Sequence, residues 1–114
     1  MTPEFRLLAW QAAERVFADL HIATGAPFPV ALGIEVRKED SIPPLRDALA
    51  KADIRVADVI KKGWPFGRRW LVEATAQPRP ITREEIEGWL DAIERILAAH
   101  DAELITWMPL VPAA

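Results

Sequence analysis

The sequence predicts one small α+β domain built from helices and a sheet of four strands. A chain of 114 residues fits a single domain. Its composition, 51% apolar and 27% charged, matches ordinary globular proteins and suffices for one hydrophobic core. Along the chain, apolar residues switch between helical spacing and the period of two that is typical of strands. We therefore expect residues 1–114 to form one domain, with an N-terminal helix within 1–24 and an α+β core over 30–111.

The first element is predicted to be a helix over about residues 3–20. Thr2 followed by Pro3 is a favourable N-cap and first helical position. Apolar residues then recur at helical spacing: Phe5, Leu8, Ala9, Ala12, Ala13, Val16, Phe17 and Leu20. An alternative interpretation makes residues 16–22 a strand, because apolar and polar residues alternate there before a turn-rich segment. Trp10 lies off the predicted stripe and is expected to be exposed for a partner or to cover a flank.

The middle of the chain is predicted to form three strands and one short helix. Residues 30–36 are almost continuously apolar and are typical of a strand. Ser41 is expected to cap a short helix, in which two prolines occupy the first turn and leave the later hydrogen bonds intact. Residues 54–62 are rich in β-branched side chains, and residues 69–77 alternate in polarity, so both segments are predicted to be strands.

The last helix has the clearest signals in the sequence. Thr82 and Glu85 form a capping box directly after Pro80. One face is then apolar over three turns: Ile86, Trp89, Leu90, Ile93, Ile96 and Leu97. Trp89 is expected in the core, with Trp70 and Trp107 able to pack against it. The helix is expected to end near His100, and residues 102–111 read as the final strand.

From residue 30 onward the order is strand, helix, strand, strand, helix, strand. This βαββαβ order predicts a ferredoxin-like fold, with an antiparallel sheet and both helices on one face. The N-terminal helix is an addition, which could cover the open face of the sheet or pack against a partner.

No recognisable catalytic, metal or cofactor site follows from the residue types. The absence of cysteine excludes disulfides, thiolate metal sites and cysteine nucleophiles. His21 and His100 belong to no metal-binding motif, and His100 at a helix C-terminus can complement the helix dipole. The only serine, Ser41, is explained as a cap, and the glycines form no phosphate-binding loop. We therefore expect a non-enzymatic protein that needs no cofactor or metal.

Two charged segments are the candidate partner-binding sites. Between residues 54 and 70 five basic residues outnumber one acidic residue, and between 81 and 103 seven acidic residues outnumber two basic ones. The first site is a basic connection with two aromatic residues: Lys61, Lys62, Trp64, Phe66, Arg68 and Arg69. The second is the outer face of the last helix: Glu84, Glu87 and Asp91. Because these carboxylates are expected to point into water, catalysis or metal binding is not their predicted role.

The connection also has other interpretations. Its aromatic residues could fold back and cap the core beside Trp70, or they could stack on unpaired bases. A net charge of −3 makes nucleic acid the weaker expectation and favours another protein as the partner. The polar N-terminus is unlike a signal peptide, and no apolar run approaches the roughly 18 residues that span a bilayer. We therefore expect a cytoplasmic protein with no membrane contact.

The C-terminal half is similar to a known bacterial family. The stretches RWLVEAT at 69–75, PIT at 80–82 and AAHDAE at 98–103, together with Ile86 and Trp107, resemble the regulator of ribonuclease activity B family. The family typically has a tryptophan in the third strand, as Trp70 here, and a Gly-Trp near the end, which Thr106-Trp107 replaces. This resemblance implies a ferredoxin-like domain that acts as a protein inhibitor and binds ribonuclease E away from the catalytic centre. It identifies no inhibitory residues.

These observations predict a non-catalytic regulator or inhibitor that binds and occludes a partner protein, with a ribonuclease as one candidate. Two alternatives remain open at this point. One is a phage- or toxin-related antagonist, such as an immunity protein or an anti-CRISPR protein. The other is a ligand-sensing or self-assembling module, since sheets of this kind can pair at an edge to form a homodimer.

Overall fold

The computed structural model describes residues 1–62 and 69–111, without the side chains of residues 61 and 62. It confirms the α+β class. The elements in chain order are α1 (Pro3–Asp19), β1 (Pro27–Val36), α2 (Ile42–Lys51), β2 (Ile54–Lys62), β3 (Arg69–Pro80), α3 (Arg83–Ala98) and β4 (Ala102–Pro109). A short 3-10 turn, Glu39–Ser41, precedes α2.

The four strands form one antiparallel sheet in the order β2-β3-β1-β4. In the central strand β1, Ile34 lies opposite Val72 of β3 and Leu104 of β4. One-residue irregularities interrupt the pairing at Ala57 of β2 and at Ile105 of β4. Because of the strand order, β2 and β4 are the two edges of the sheet. Each of these edge strands contains a bulge.

The core lies between one face of the sheet and the helices. α2 packs against β2, α3 packs against β4, and the two helices contact each other, so they share a face. The residues of β1 that point to this face are all buried: Val30, Leu32, Ile34 and Val36. The apolar stripe of α3 supplies Ile86, Leu90, Ile93 and Leu97, all within 1% of full burial. The helical period of α3 therefore predicted most of its buried face correctly.

α1 is a helix as predicted, but of its predicted apolar stripe only Ala13 and Phe17 are buried. Its buried residues are Arg6, Trp10, Ala13 and Phe17. Phe5, Leu8 and Val16, which belong to the same stripe, are 61%, 59% and 43% exposed. The choice of face is a tertiary effect, because Arg6 and Trp10 have partners that lie far away in the sequence.

α1 does not cover the open face of the sheet, which was one of the two positions that the sequence allowed for it. The indole of Trp10 stacks on Trp107 of β4 with 6.4 Å between ring centroids. Trp107 is opposite Leu32 in the sheet and points, like Leu32, towards the helices. α1 therefore joins α2 and α3 on the covered face and leaves the other face of the sheet open.

Helix termini follow the sequence signals except at α2. The hydroxyls of Thr2 and Thr82 accept hydrogen bonds from the amides of Phe5 and Glu85, both at 3.3 Å. Ser41 occupies the N-cap position of α2, but its side chain makes no capping hydrogen bond, so the predicted cap is wrong. The 3-10 turn that includes Ser41 holds its backbone in a helical conformation, whereas capping residues typically have an extended one.

Trp89 is less buried than its place on the apolar stripe predicted. It is half-buried, and the guanidinium of Arg79 lies 4.2 Å from its ring centroid. Burial lowers the pKa of Arg79, and the attraction of Glu85 offsets only part of that effect. Trp107 packs on Trp10 rather than on Trp89. In the part of the chain that the structure describes, no helix has the length and apolar character to span a membrane.

Candidate protein-binding surface

The predicted basic connection falls largely outside the described residues. Trp64, Phe66 and Arg68 lie there, and of Lys61 and Lys62 only the backbone, at the end of β2, is described. Arg69 is the first residue of β3 and is exposed. Its guanidinium forms an ion pair with Glu35 of β1.

The acidic face of α3 is occupied in part by α1. Arg6 Nη1 donates hydrogen bonds to Glu87 at 3.1 Å and to Asp91 at 2.7 Å, and Nη2 donates to Glu94 at 2.6 Å. Arg6 is only 9% exposed. Glu84 in the first turn of α3 remains exposed and belongs to no ion pair within the described part of the chain. Two of the three predicted partner-binding carboxylates, Glu87 and Asp91, therefore contact Arg6 of α1.

The charge of Arg6 is maintained by these carboxylates. Burial by itself disfavours the charged guanidinium, but the hydrogen bonds to Asp91, Glu87 and Glu94 outweigh it and raise the pKa of Arg6 above its usual value. Arg6 therefore carries its positive charge at neutral pH. The arrangement is an ion network that joins α1 to α3.

The open sheet face is the surface that the helices leave uncovered. Alternation along the strands places on it the residues between the buried ones. We define it by these residues: Ala31, Gly33 and Glu35 of β1, Arg55, Asp58 and Ile60 of β2, Arg69, Leu71, Glu73 and Thr75 of β3, and Glu103, Thr106 and Met108 of β4. Several of them line a shallow groove of about 300 Å³.

Carboxylates lie directly opposite one another on this face. Asp58 of β2 pairs in register with Glu73 of β3, and Glu35 of β1 pairs with Glu103 of β4. Directly opposed like charges destabilise a sheet by a few tenths to about 1 kcal/mol. Arg69 compensates Glu35, whereas Asp58, Glu73 and Glu103 have no salt bridge among the described side chains. Asp58 and Glu73 thus repel each other across the two strands, and Arg55 lies on the same face opposite Thr75.

The middle of the open sheet face is apolar and closely fitted. Ala31, Leu71 and Thr75 are half-buried there although no helix covers them. At Gly33 a Cβ atom would lie 2.7 Å from Cγ2 of Thr106, so the Thr106 methyl group occupies the space above the glycine. Met108 beside it is 58% exposed. An apolar centre with charged residues around it has the usual composition of a protein interface.

Local sequence patterns indicate little of this surface. The alternation in β3 did separate Glu73 from its buried neighbours, but the partners opposite it depend on strand register, which local patterns do not reveal. The buried position of Arg6 was not predicted, because its partners on α3 lie 81 to 88 residues away in the sequence. Neither histidine belongs to a cluster: within the described ranges, no group of three or more His, Asp or Glu side chains is arranged to hold a metal ion.

Comparisons of the chain with protein-family models, with curated proteins and with solved structures found no match.

Proposed function

We propose that this protein is a non-catalytic regulator that binds another protein through the open sheet face and blocks access to that partner. One observation carries the proposal: the uncovered face combines an apolar centre with directly opposed carboxylates at Asp58 and Glu73. Such an arrangement weakens the isolated sheet, and a partner that supplies cations would relieve the repulsion.

The fold assignment belongs to the same proposal. Two interleaved βαβ units place their strands in the order β4-β1-β3-β2, which is the present order counted from the other edge. With α2 and α3 on one face, this order supports a ferredoxin-like core to which α1 is added. In such a fold the face opposite the helices remains available for binding.

The partner is a protein with basic side chains around an apolar patch. Enzymes that act on RNA carry such basic surfaces, because their substrate is a polyanion. This chemistry and the resemblance of residues 69–107 to the regulator of ribonuclease activity B family support a ribonuclease as the partner. Arg69 belongs both to the predicted basic connection and to the open sheet face. It is the last residue of that connection, and it forms an ion pair with Glu35 on the open sheet face.

Binding to purified bacterial ribonuclease E, measured by calorimetry together with RNA cleavage, tests the proposal. We expect the double change Asp58→Lys and Glu73→Lys to weaken binding at least about tenfold, since it turns attraction into repulsion. The matched control is Glu84→Lys, an exposed carboxylate on α3 that belongs to the competing acidic face. Binding that survives the double change but is lost in the control would transfer the site to α3. No binding by the unchanged protein would exclude this ribonuclease.

A further inference from the structure

The two pairs of opposed carboxylates on the open sheet face differ in one respect. Glu35 lies opposite Glu103, and Asp58 lies opposite Glu73. The first pair has a cation from this chain, because the guanidinium of Arg69 forms an ion pair with Glu35. Neither Asp58 nor Glu73 forms a salt bridge with any side chain that the structure describes. Among the described side chains, the second pair therefore lacks the kind of cation that the first pair has.

Arg55 is the described basic side chain nearest to this second pair in the strand register. It lies opposite Thr75, which is two residues after Glu73 in β3. Arg55 is exposed and is not among the residues that line the groove of about 300 Å³ in the middle of the face. Both Asp58 and Glu73 are exposed as well. The groove and the two carboxylates are therefore accessible to a group from outside the chain.

The groove beside Glu73 is apolar except for that carboxylate. Ala31, Leu71 and Met108 line it, and Glu73 is the one charged residue among the described residues of its lining. A volume of about 300 Å³ is at the lower end of the range for small-ligand sites, so it suits one long side chain better than a whole helix. A long basic side chain matches this lining, because its methylene stem packs on apolar surface while its charged end reaches a carboxylate.

We propose that the open sheet face binds one arginine side chain of its protein partner, with the stem in the groove and the guanidinium between Asp58 and Glu73. This inference rests on the proposed function and names the residue that anchors the partner. Charge complementarity selects a cation, and the presence of two opposed carboxylates selects arginine. A guanidinium has five N–H donors in a planar fork and can bond to both carboxylates at once, whereas the ammonium of lysine is a compact point charge.

The same chain already contains an arginine that joins two carboxylates. Nη1 of Arg6 donates hydrogen bonds to Glu87 at 3.1 Å and to Asp91 at 2.7 Å. Neighbours four residues apart on a helix have Cβ atoms about 5–6 Å apart, and opposed residues on adjacent antiparallel strands about 4.5–5.5 Å apart. Because the two spacings are similar, one guanidinium can join Asp58 to Glu73 as Arg6 joins its two carboxylates.

A titration of the nitrogen-15-labelled full chain with N-acetyl-arginine amide, at constant ionic strength, tests this site. We expect saturable shifts of the backbone amides of Gly33, Leu71 and Glu73, which share the groove, and no saturable shifts in α3. N-acetyl-citrulline amide keeps the shape without the charge, and N-acetyl-lysine amide keeps the charge without the fork. Both should bind at least about fivefold more weakly. No saturable shift at the three amides, or a citrulline or lysine derivative that binds as tightly as arginine, would overturn the proposal.

Glu73→Gln provides a test at the site itself. The change keeps the length of the side chain and removes its charge, so it should raise the dissociation constant of N-acetyl-arginine amide at least about fivefold. Glu84→Gln is the matched control, because it makes the same change of charge at an exposed position of α3 and should bind like the parent. Equal weakening in the two variants would mean that net charge alone attracts arginine, which contradicts a defined site.

The result of the titration can be distinguished from the result for the proposed function. If the double change Asp58→Lys and Glu73→Lys abolishes binding to ribonuclease E but the parent shows no response to the arginine derivative, the binding surface stands and the arginine anchor is wrong. If the arginine derivative binds at Glu73 and the parent does not bind ribonuclease E, the arginine site stands and this ribonuclease is excluded as the partner.

Discussion

Arg6 shows how a charged side chain can occupy a buried position that apolar residues were expected to fill. Its guanidinium reaches three carboxylates of α3, spaced four and three residues apart along that helix, while its own helix covers it. In the absence of Arg6, Glu87 and Asp91 would face each other without this cation, while Glu94 would keep its salt bridge to the amino group of Met1 at 2.9 Å. The arrangement therefore joins α1 to α3 and also relieves repulsion within α3.

Replacing Arg6 by alanine should lower the free energy of unfolding by about 1–3 kcal/mol. Removing one partner of a fully buried ion pair costs more than this. Here Glu87 and Asp91 are 37% and 58% exposed, so water screens the charges that remain. Urea unfolding at neutral pH measures the change. Arg15→Ala, on an exposed position of the same helix, should change stability by no more than about 0.5 kcal/mol. Equal midpoints for the two variants would mean that the network contributes nothing.

Gly33 and Thr106 form a steric pair on the open sheet face, which gives a second prediction. Gly33→Ala should destabilise the protein by about 1–3 kcal/mol, because Cγ2 of Thr106 stands 2.7 Å from the added methyl group and a β-branched side chain rotates away only with difficulty. Thr106→Ser removes that methyl group and should restore at least half of the loss. A double-mutant cycle in urea measures the coupling, and strictly additive effects would contradict the contact.

At the scale of elements, two aromatic contacts hold the buried face of α1 against the sheet. Trp10 stacks on Trp107, and Phe17 contacts Phe28 with ring centroids 5.8 Å apart. The indole N–H of Trp107 is buried and has no hydrogen-bond partner among the described residues, so the stack is an apolar contact rather than a polar one. The helix is therefore attached to β4 mainly by packing and to α3 mainly by charge.

Trp10→Ala should cost about 3–5 kcal/mol and detach α1. Hydrogen exchange should show lost protection in α1, while the amides of β1 and β3 in the middle of the sheet remain protected. Leu7→Ala serves as the control, because Leu7 is 41% exposed and its truncation should leave exchange in α1 nearly unchanged. Uniform loss of protection throughout the sheet would instead show that α1 and the sheet unfold as one unit.

The sequence predicted the elements much better than it predicted their faces. β2 has the bounds that its β-branched residues indicated, and α3 follows its N-cap and its stripe, because the signals for both are local. The buried face of α1 was predicted only in part, because its apolar residues surround most of the helix and only contacts with Trp107 and α3 select one side. The opposed carboxylates of the open sheet face were not predictable, because strand register is a property of the assembled sheet.

At the scale of the molecule, a change of charge on the open sheet face should have opposite effects on stability and on partner binding. Glu73→Lys places a cation opposite Asp58 and should stabilise the fold by about 0.2–1 kcal/mol, because an opposed pair of like charges becomes an attractive one. The same change should weaken binding of a basic partner. Glu73→Gln, which only removes the repulsion, should give a smaller gain. Urea midpoints and dissociation constants measured on the same samples check both, and a destabilised Glu73→Lys variant would contradict this electrostatic interpretation.

The location of β4 at the sheet edge has a consequence for the exchange of its backbone hydrogens with water. β1 has a neighbouring strand on each side, whereas β4 pairs only with β1. Every second amide along β4 therefore meets no other described strand and should exchange with solvent sooner than the amides of β1.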